Sequence, residues 1–198
     1  MRNRSRTFSG KSASGRKILL IFVLLIAIVT ISLKYISPQI EMRRYPIAFS
    51  GEVASAAKEF DLPEELIYAV ILTESSFDPN AISHANAKGL MQLTDDSNEW
   101  TALILREKPE IERIFEPEMN IRRGCCLLSY LIREFGSVET ALAAYNAGIG
   151  RVKNWLQLEE YSKNGVTLDK IPISETRNYV EKVIKSRDKY QKLHFSGK

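Results

Sequence analysis

LPEELIYAVILTESSFDPNAISHANAKGLMQLT, residues 62–94, is the stretch on which the reading of this chain turns. Pro63 suits the first turn of a helix, where its missing N–H costs nothing. Glu64 and Glu65 share that turn, where the helix dipole favours acids. Ile67, Val70 and Ile71 then recur at helical spacing. Glu74 comes seven, four and three residues after them, so the spacing puts an acid at the end of an apolar stripe. Burial disfavours the charged form of a carboxyl and raises its pKa. A general acid at neutral pH needs that shift. Taken without its neighbours, Glu74 is an ordinary solvated residue at a helix end. The neighbours favour chemistry: Asp78-Pro79-Asn80 breaks the helix, Gly89 permits close backbone approach to a ligand, and Gln92 adds a polar group. The stretch reads as one wall of a cleft.

Outward from that wall, the chain has room for one domain and some extra sequence in its 198 residues. The formal charge of +4 is unevenly spread. Residues 1–44 hold nine Lys/Arg against Glu41 alone, a balance of +8, which leaves −4 for residues 45–198. The mildly acidic remainder argues against a nucleic-acid-binding face. Residues 18–33, ILLIFVLLIAIVTISL, are apolar apart from Thr30 and Ser32. A span needs about 20 residues to cross roughly 30 Å of hydrocarbon. Tyr35 and Ile36 lengthen the run if Lys34 snorkels to the interface. The competing reading is a cleaved signal peptide, but Lys34-Tyr35-Ile36-Ser37-Pro38 offers no Ala-x-Ala-like cleavage site. We read an uncleaved transmembrane signal anchor over residues 18–36. Six Lys/Arg precede it and no acid does, which puts the N-terminus in the cytoplasm and the domain outside.

In order, the expectations are a basic, disordered cytoplasmic arm over 1–17, the anchor over 18–36, a short linker over 37–47, and a catalytic domain over 48–198. The linker is short enough to hold the domain close to the membrane. Within the domain, helices are expected around Val53–Phe60, up to Glu74, over 97–107 with Pro109 as the stop, and from Asn120 to Phe135 with Gly136 after it. Further helices start after Ser137 as a cap, span Val152–Leu158, and start at a Ser174 cap. No run of alternating strands is present, so the class is mainly α. Cys125 and Cys126 are adjacent, which excludes an ordinary long-loop disulfide. At least one reads as a small core residue. With His84 and His194 the only histidines, no metal site is expected. No cofactor is expected either, and the sequence identifies no protein partner.

Four blocks now stand in order: Glu74-Ser75-Ser76-Phe77-Asp78-Pro79-Asn80-Ala81, Lys88-Gly89-Leu90-Met91-Gln92-Leu93, Ala143-Ala144-Tyr145-Asn146-Ala147-Gly148, and Glu175-Thr176-Arg177-Asn178-Tyr179-Val180. Together they resemble the lytic transglycosylases of the SLT-domain type, over roughly residues 48–190. Asn120-Ile121-Arg122 fits the same pattern. The resemblance implies a goose-type-lysozyme-like α fold. It also implies cleavage of peptidoglycan glycan strands between N-acetylmuramic acid and N-acetylglucosamine, with a 1,6-anhydromuramic product. Glu74 would be the single general acid and base. Ordinary glycosidases use two carboxylates about 5 to 10 Å apart. Here the muramic C6 hydroxyl is the nucleophile, with the advantage of proximity.

The resemblance also implies substrate-binding roles for Ser83, Gln92, Tyr145, Asn146 and Glu175. Tyr145 would point its hydroxyl at Glu74, or else serve as a core aromatic beside Leu142. Asn146 and Gly148 would shape the cleft floor. Glu175 would lie across the cleft, or else be an acid stabilised in a helix's first turn. Tyr179 fits core and ligand-facing readings equally. The sequence departs from the usual family pattern at Thr94-Asp95, where Met-Pro is common, and at His84-Ala85-Asn86. Thr94 replaces an apolar residue that packs near the sugar. Asp95 and Asp96 are read as caps of the next helix. As a second carboxylate, either could position a water and make the enzyme a hydrolytic muramidase. A catalytically silent glycan-binding module is the remaining alternative.

Overall fold

The computed structural model of the chain describes residues 12–196. Residues 1–11 of the expected basic arm lie outside that range. The chain divides into two units, residues 1–46 and 47–198.

The first unit is helical. α1 spans Ser12–Ile31, a π-helical turn covers Ser32–Ile36, and α2 runs over Ser37–Arg44. The stretch Gly15–Arg44 is long and apolar enough to cross a membrane by length and composition. Its large apolar side chains from Ile18 to Ile31 are exposed. Two expectations change here. Residues 12–17, read as disordered, are helical from Ser12. Residues 37–44, read as linker, continue the helix to Arg44.

The second unit is built from seven α-helices among the described residues: α3 (Ser50–Phe60), α4 (Glu64–Glu74), α5 (Asp95–Leu105), α6 (Pro117–Phe135), α7 (Val138–Ala147), α8 (Ile149–Leu156) and α9 (Ser174–Tyr190). Its only pairings of extended backbone among those residues are isolated bridges, Ile82 with Lys88 and Lys88 with Leu93. The class is mainly α, as the sequence indicates.

α4 is the centre. Leu66, Ile67, Tyr68, Ala69, Val70 and Ile71 are all buried, so this helix is apolar all round rather than on one stripe. α9 and α3 cover it. α6 packs against α3, α5 and α7, and α7 against α8 and α9. Val53, Leu128, Leu131, Leu142 and Val183 bring the other helices into the same core. Cys125 and Cys126 are free and buried within α6. The result places the C-terminal end of α4, and with it Glu74, beside the first turns of α9.

Helix ends differ from the sequence reading in instructive ways. α5 starts at Asp95 because Thr94, not either aspartate, caps it: its side chain accepts the Ser97 N–H. α5 ends at Leu105, where Arg106 adopts a left-handed conformation (φ 58°), well before Pro109. α6 begins at Pro117 in the favoured first-turn position. α8 spans Ile149–Leu156, two to three residues ahead of expectation. Ser174 lies inside α9; Ile173 precedes it with no side-chain cap. Ser137 caps α7 through the Thr140 N–H, and Gly136 closes α6 at φ 64°.

Candidate active site

A cavity of about 450 Å³ opens beside the end of α4, lined by Glu74, Ser83, Gln92, Tyr145, Asn146 and Glu175 among others. Those six residues are the ones that sequence reasoning singles out. They come from the end of α4, the 76–94 loop, the end of α7 and the start of α9. The volume lies in the range of small-molecule sites.

Glu74 is the last residue of α4. Burial pushes its carboxyl up to about 7, against a lesser downward pull from the Tyr179 hydrogen bond and the Lys182 charge. Tyr179 donates its hydroxyl to Glu74 Oε1 at 2.7 Å across 105 residues of sequence. Tyr179 is 8% exposed, and both burial and the Glu74 charge push its own hydroxyl well above the usual range. It therefore stays a proton donor. Lys182 lies one turn later on α9, where its charge reaches the same carboxyl.

The expected partnership between Tyr145 and Glu74 takes a different form. Tyr145 lines the cavity, but its hydroxyl donates to the Met91 carbonyl at 2.8 Å. Tyr145 thus grips the loop that carries Gln92, while Tyr179 holds Glu74. Both tyrosines sit in blocks that the sequence marks. Periodicity gives a residue's helical face, not which of two walls supplies a hydroxyl.

The loop owes its shape to Asn120 at the start of α6. Its Oδ1 accepts the Met91 N–H at 2.7 Å. Its Nδ2 donates to Lys88 O at 3.0 Å and Ile114 O at 2.7 Å. All three bonds are to backbone, and Asn120 is fully buried. Gly89 sits against it at φ 76°, and a side chain there would fall on the Asn120 amide. That close approach to Asn120 requires a glycine at position 89. Gly124, one turn along α6, leaves the same kind of room for the Met91 thioether.

Gln92 adopts φ 49°. Its Nε2 donates to Ala81 O at 3.1 Å and Gly89 O at 2.9 Å, which clips the loop and leaves Oε1 as acceptor. Ser83 Oγ accepts the Ala87 N–H at 3.1 Å. Among the described residues nothing takes the Ser83 hydroxyl proton, so it remains to donate. Asn146 and Glu175 are exposed at the rim, Glu175 in the first turn of α9. Gly148 is not a lining residue; it joins α7 to α8 at φ 92°. His84, whose family position is usually different, does line the cavity.

Neither Asp95 nor Asp96 is among the lining residues. Asp95 is tied to Lys88 at 2.6 Å. The carboxyls lining the cavity are those of Glu74 and Glu175. A second depression, lined by Glu107, Arg113, Arg122 and Arg123, is occupied by groups already paired with carboxylates or carbonyls. Among the described residues no cluster of three His, Cys, Asp or Glu could hold a metal ion.

Comparison with known proteins matches residues 52–166 to the transglycosylase SLT domain. The soluble lytic murein transglycosylase of Salmonella typhimurium is 33% identical over 159 residues, which are 78% of this chain and 24% of that protein. The membrane-bound lytic murein transglycosylase C of Sodalis glossinidius is 30% identical over 167 residues, 73% of this chain and 47% of that protein. Among solved structures, an inactive variant of the Pseudomonas aeruginosa lytic transglycosylase Slt is similar at TM-score 0.65 and 30% identity, covering 77% of this chain and 25% of that one. The chain thus spans about a quarter of the length of the soluble relatives and about half of the membrane-bound ones.

Proposed function

This chain belongs to the transglycosylase SLT domain family, and on that premise we propose that it is a peptidoglycan lytic transglycosylase with Glu74 as its only general acid and base. The observation that carries the reading is the Glu74 carboxyl, raised to about 7 by burial and held by one hydroxyl donor beside the cavity. At neutral pH a large share of such a carboxyl keeps its proton. It gives that proton to the glycosidic oxygen between N-acetylmuramic acid and N-acetylglucosamine as the bond breaks. The carboxylate that remains takes the proton from the muramic C6 hydroxyl. That oxygen then closes on C1, and the strand ends in a 1,6-anhydro sugar. The nucleophile is already part of the substrate, so no second carboxylate has to hold a water. Of the other acids near the site, Asp95 and Asp96 are not lining residues and Asp95 is paired with Lys88, while Glu175 lines the cavity as an exposed residue of its rim.

The other lining groups suit saccharide recognition. Ser83 can donate a hydrogen bond and Gln92 Oε1 can accept one. Asn146 and Glu175 add polar contacts at the rim. Tyr145 acts through the loop it holds. The N-terminal helix supports membrane attachment, with the basic arm cytoplasmic and the catalytic unit outside. The relatives named membrane-bound are consistent with this reading.

The test is mass spectrometry of muropeptides released from purified peptidoglycan by the full-length protein in detergent, beside Glu74→Gln. The expected result is anhydro-ended products from the native chain and none from the variant. Reducing ends would make the enzyme a hydrolase. Release of nothing by the native chain would favour a glycan-binding module.

A further inference from the structure

We propose that the aromatic cluster of Tyr68, Phe77, Tyr190 and Phe195 is a positioning device, which fixes the register of α9 on α4 and so keeps the Tyr179 hydroxyl on Glu74. That Glu74 is the catalyst rests on the proposed function; its positioning by the cluster does not.

Tyr68, on α4, is the centre of the cluster. Its ring stacks on that of Tyr190, at the end of α9, with centroids 5.4 Å apart and planes at 26°. Phe195 closes the π-helical turn Gln191–Phe195 that follows α9 and meets the Tyr68 ring at 6.2 Å. Phe77, in the turn after α4, meets it at 6.3 Å. All three separations are those of favourable aromatic pairs. Tyr68 and Tyr190 are fully buried. The Tyr68 hydroxyl has no hydrogen-bond partner among the described residues. An unpaired buried hydroxyl costs stability, so what Tyr68 contributes is its ring.

α4 and α9 thus meet at two chemically distinct points. At one, Tyr68 stacks on Tyr190. At the other, Tyr179 donates to Glu74 at 2.7 Å. Residue order is reversed between the helices, 68 then 74 against 190 then 179, so the pair runs antiparallel. A slide of α9 along α4 would move both points together. The hydrogen bond is the less tolerant of the two, because it weakens steeply with distance and angle. Rings packed on three sides of Tyr68 oppose the slide.

The turn after Glu74 depends on the same rings. Ser76 and Phe77 adopt φ 53° and 67°. Among the described residues no other two neighbouring non-glycine residues share the left-handed region. That conformation is strained for a bulky side chain, and such strain persists only where the surroundings hold it. The contact of Phe77 with Tyr68 is such a hold, three residues from Glu74. The cluster therefore reaches the site along α9 and through the turn. The charged and titratable groups around Glu74 are Tyr179 and Lys182 on α9, Tyr145 on α7, and Glu175 and His84 at the cavity. Phe195 is not among them and carries no charge. Its removal can reach the Glu74 carboxyl only through position or water.

The test is the Glu74 titration itself, followed by carbon-13 NMR of glutamate carboxyls in the full-length protein in detergent, with Glu74→Gln to assign the signal. Phe195→Ala should raise the Glu74 pKa by about half a unit, because a displaced Tyr179 no longer stabilises the carboxylate. Phe195→Ala combined with Tyr179→Phe should titrate where Tyr179→Phe alone does, since both act on one hydrogen bond. Phe195→Tyr keeps the ring and should keep the native value. If circular dichroism shows Phe195→Ala unfolded, Phe195→Leu takes its place. An unmoved titration would make the cluster a matter of stability alone and would overturn the proposal. A lowered pKa would mean that water reaches Glu74 while Tyr179 stays in place, and would overturn it too. So would equal rises with and without the Tyr179 hydroxyl, or a Phe195→Tyr titration displaced as far as that of Phe195→Ala. None of these readings needs turnover. Release of muropeptides by the native chain, measured separately, decides the proposed function.

Discussion

Glu74 sits between opposed influences. Burial raises its pKa, and the Tyr179 hydroxyl and the Lys182 charge lower it, with burial prevailing at about 7. The folded chain holds this proton more tightly than an unfolded chain, where the ordinary value is 4.5. Glu74 therefore favours folding below about pH 4.5, and that contribution is lost as pH rises through 7. In the proposed mechanism the first chemical step uses the protonated form, so kcat/KM should fall above about pH 7. Tyr179→Phe removes the donor that stabilises the carboxylate. The pKa should rise, and the descending limb of the kcat/KM profile should move up by about one unit. A limb that stays in place or moves down would show that Tyr179 does not tune Glu74. Tyr145→Phe serves as the contrast. Its hydroxyl goes to the Met91 carbonyl, so its loss should slow turnover without that upward displacement. Glu74 itself was legible because an acid ending an apolar stripe is chemically conspicuous. Tyr179 was not, because an aromatic residue in an apolar stripe reads equally as core. Only the packing of α9 on α4 brings the two together.

At the scale of elements, the loop between α4 and α5 holds little regular structure, and α6 supplies its order. Asn120 closes three backbone hydrogen bonds to it and to Ile114. Each unpaired buried backbone group costs about 1–3 kcal/mol, with incomplete additivity. Asn120→Ala should therefore destabilise the fold by about 3 kcal/mol or more, and Tm should drop by roughly 6–12 °C. Thermal unfolding by circular dichroism checks this. A loss below about 1 kcal/mol would mean that the loop keeps its shape through Gly89 and Gln92 alone. The sequence carried the existence of the helices far better than their ends. α5 stops at Arg106 because a left-handed residue lets the Arg106 and Glu107 N–H groups return to the Ala102 carbonyl. That ending is usually marked by glycine, and an arginine gives no such signal. Pro109 therefore looked like the stop. At the other end, Thr94 and Asp95 are both good caps by type. Only the Lys88 ion pair, formed across the loop, takes Asp95 out of contention.

At the scale of the whole molecule, the two units have different reasons to be stable. Residues 47–198 contain the buried apolar side chains from Val53 to Tyr190. The large apolar side chains from Ile18 to Ile31 are exposed and need an apolar solvent. That division was legible in composition: an apolar run, a basic arm and a mildly acidic remainder. The extension of the helix to Arg44 was not, since Pro38 and a polar sequence argue locally for a break. Tyr179, Lys182, Asn120 and Tyr145, which shape the site, all belong to the second unit. A chain beginning at Ile47 should therefore fold alone, keep the native Tm within about 2 °C, and keep the descending limb above about pH 7, because every group that sets the Glu74 pKa is present. It should also stay in the aqueous layer when floated with lipid vesicles, whereas the full chain rises with them. An aggregated or unfolded product would mean that the first unit contributes to the core. A well-folded product with a displaced pH limb would mean that the first unit alters the field at Glu74. A soluble, active product with the native limb would leave the N-terminal helix the one task proposed for it, attachment to a membrane, so that under the proposed function attachment decides which glycan the cavity meets and not how it is cut.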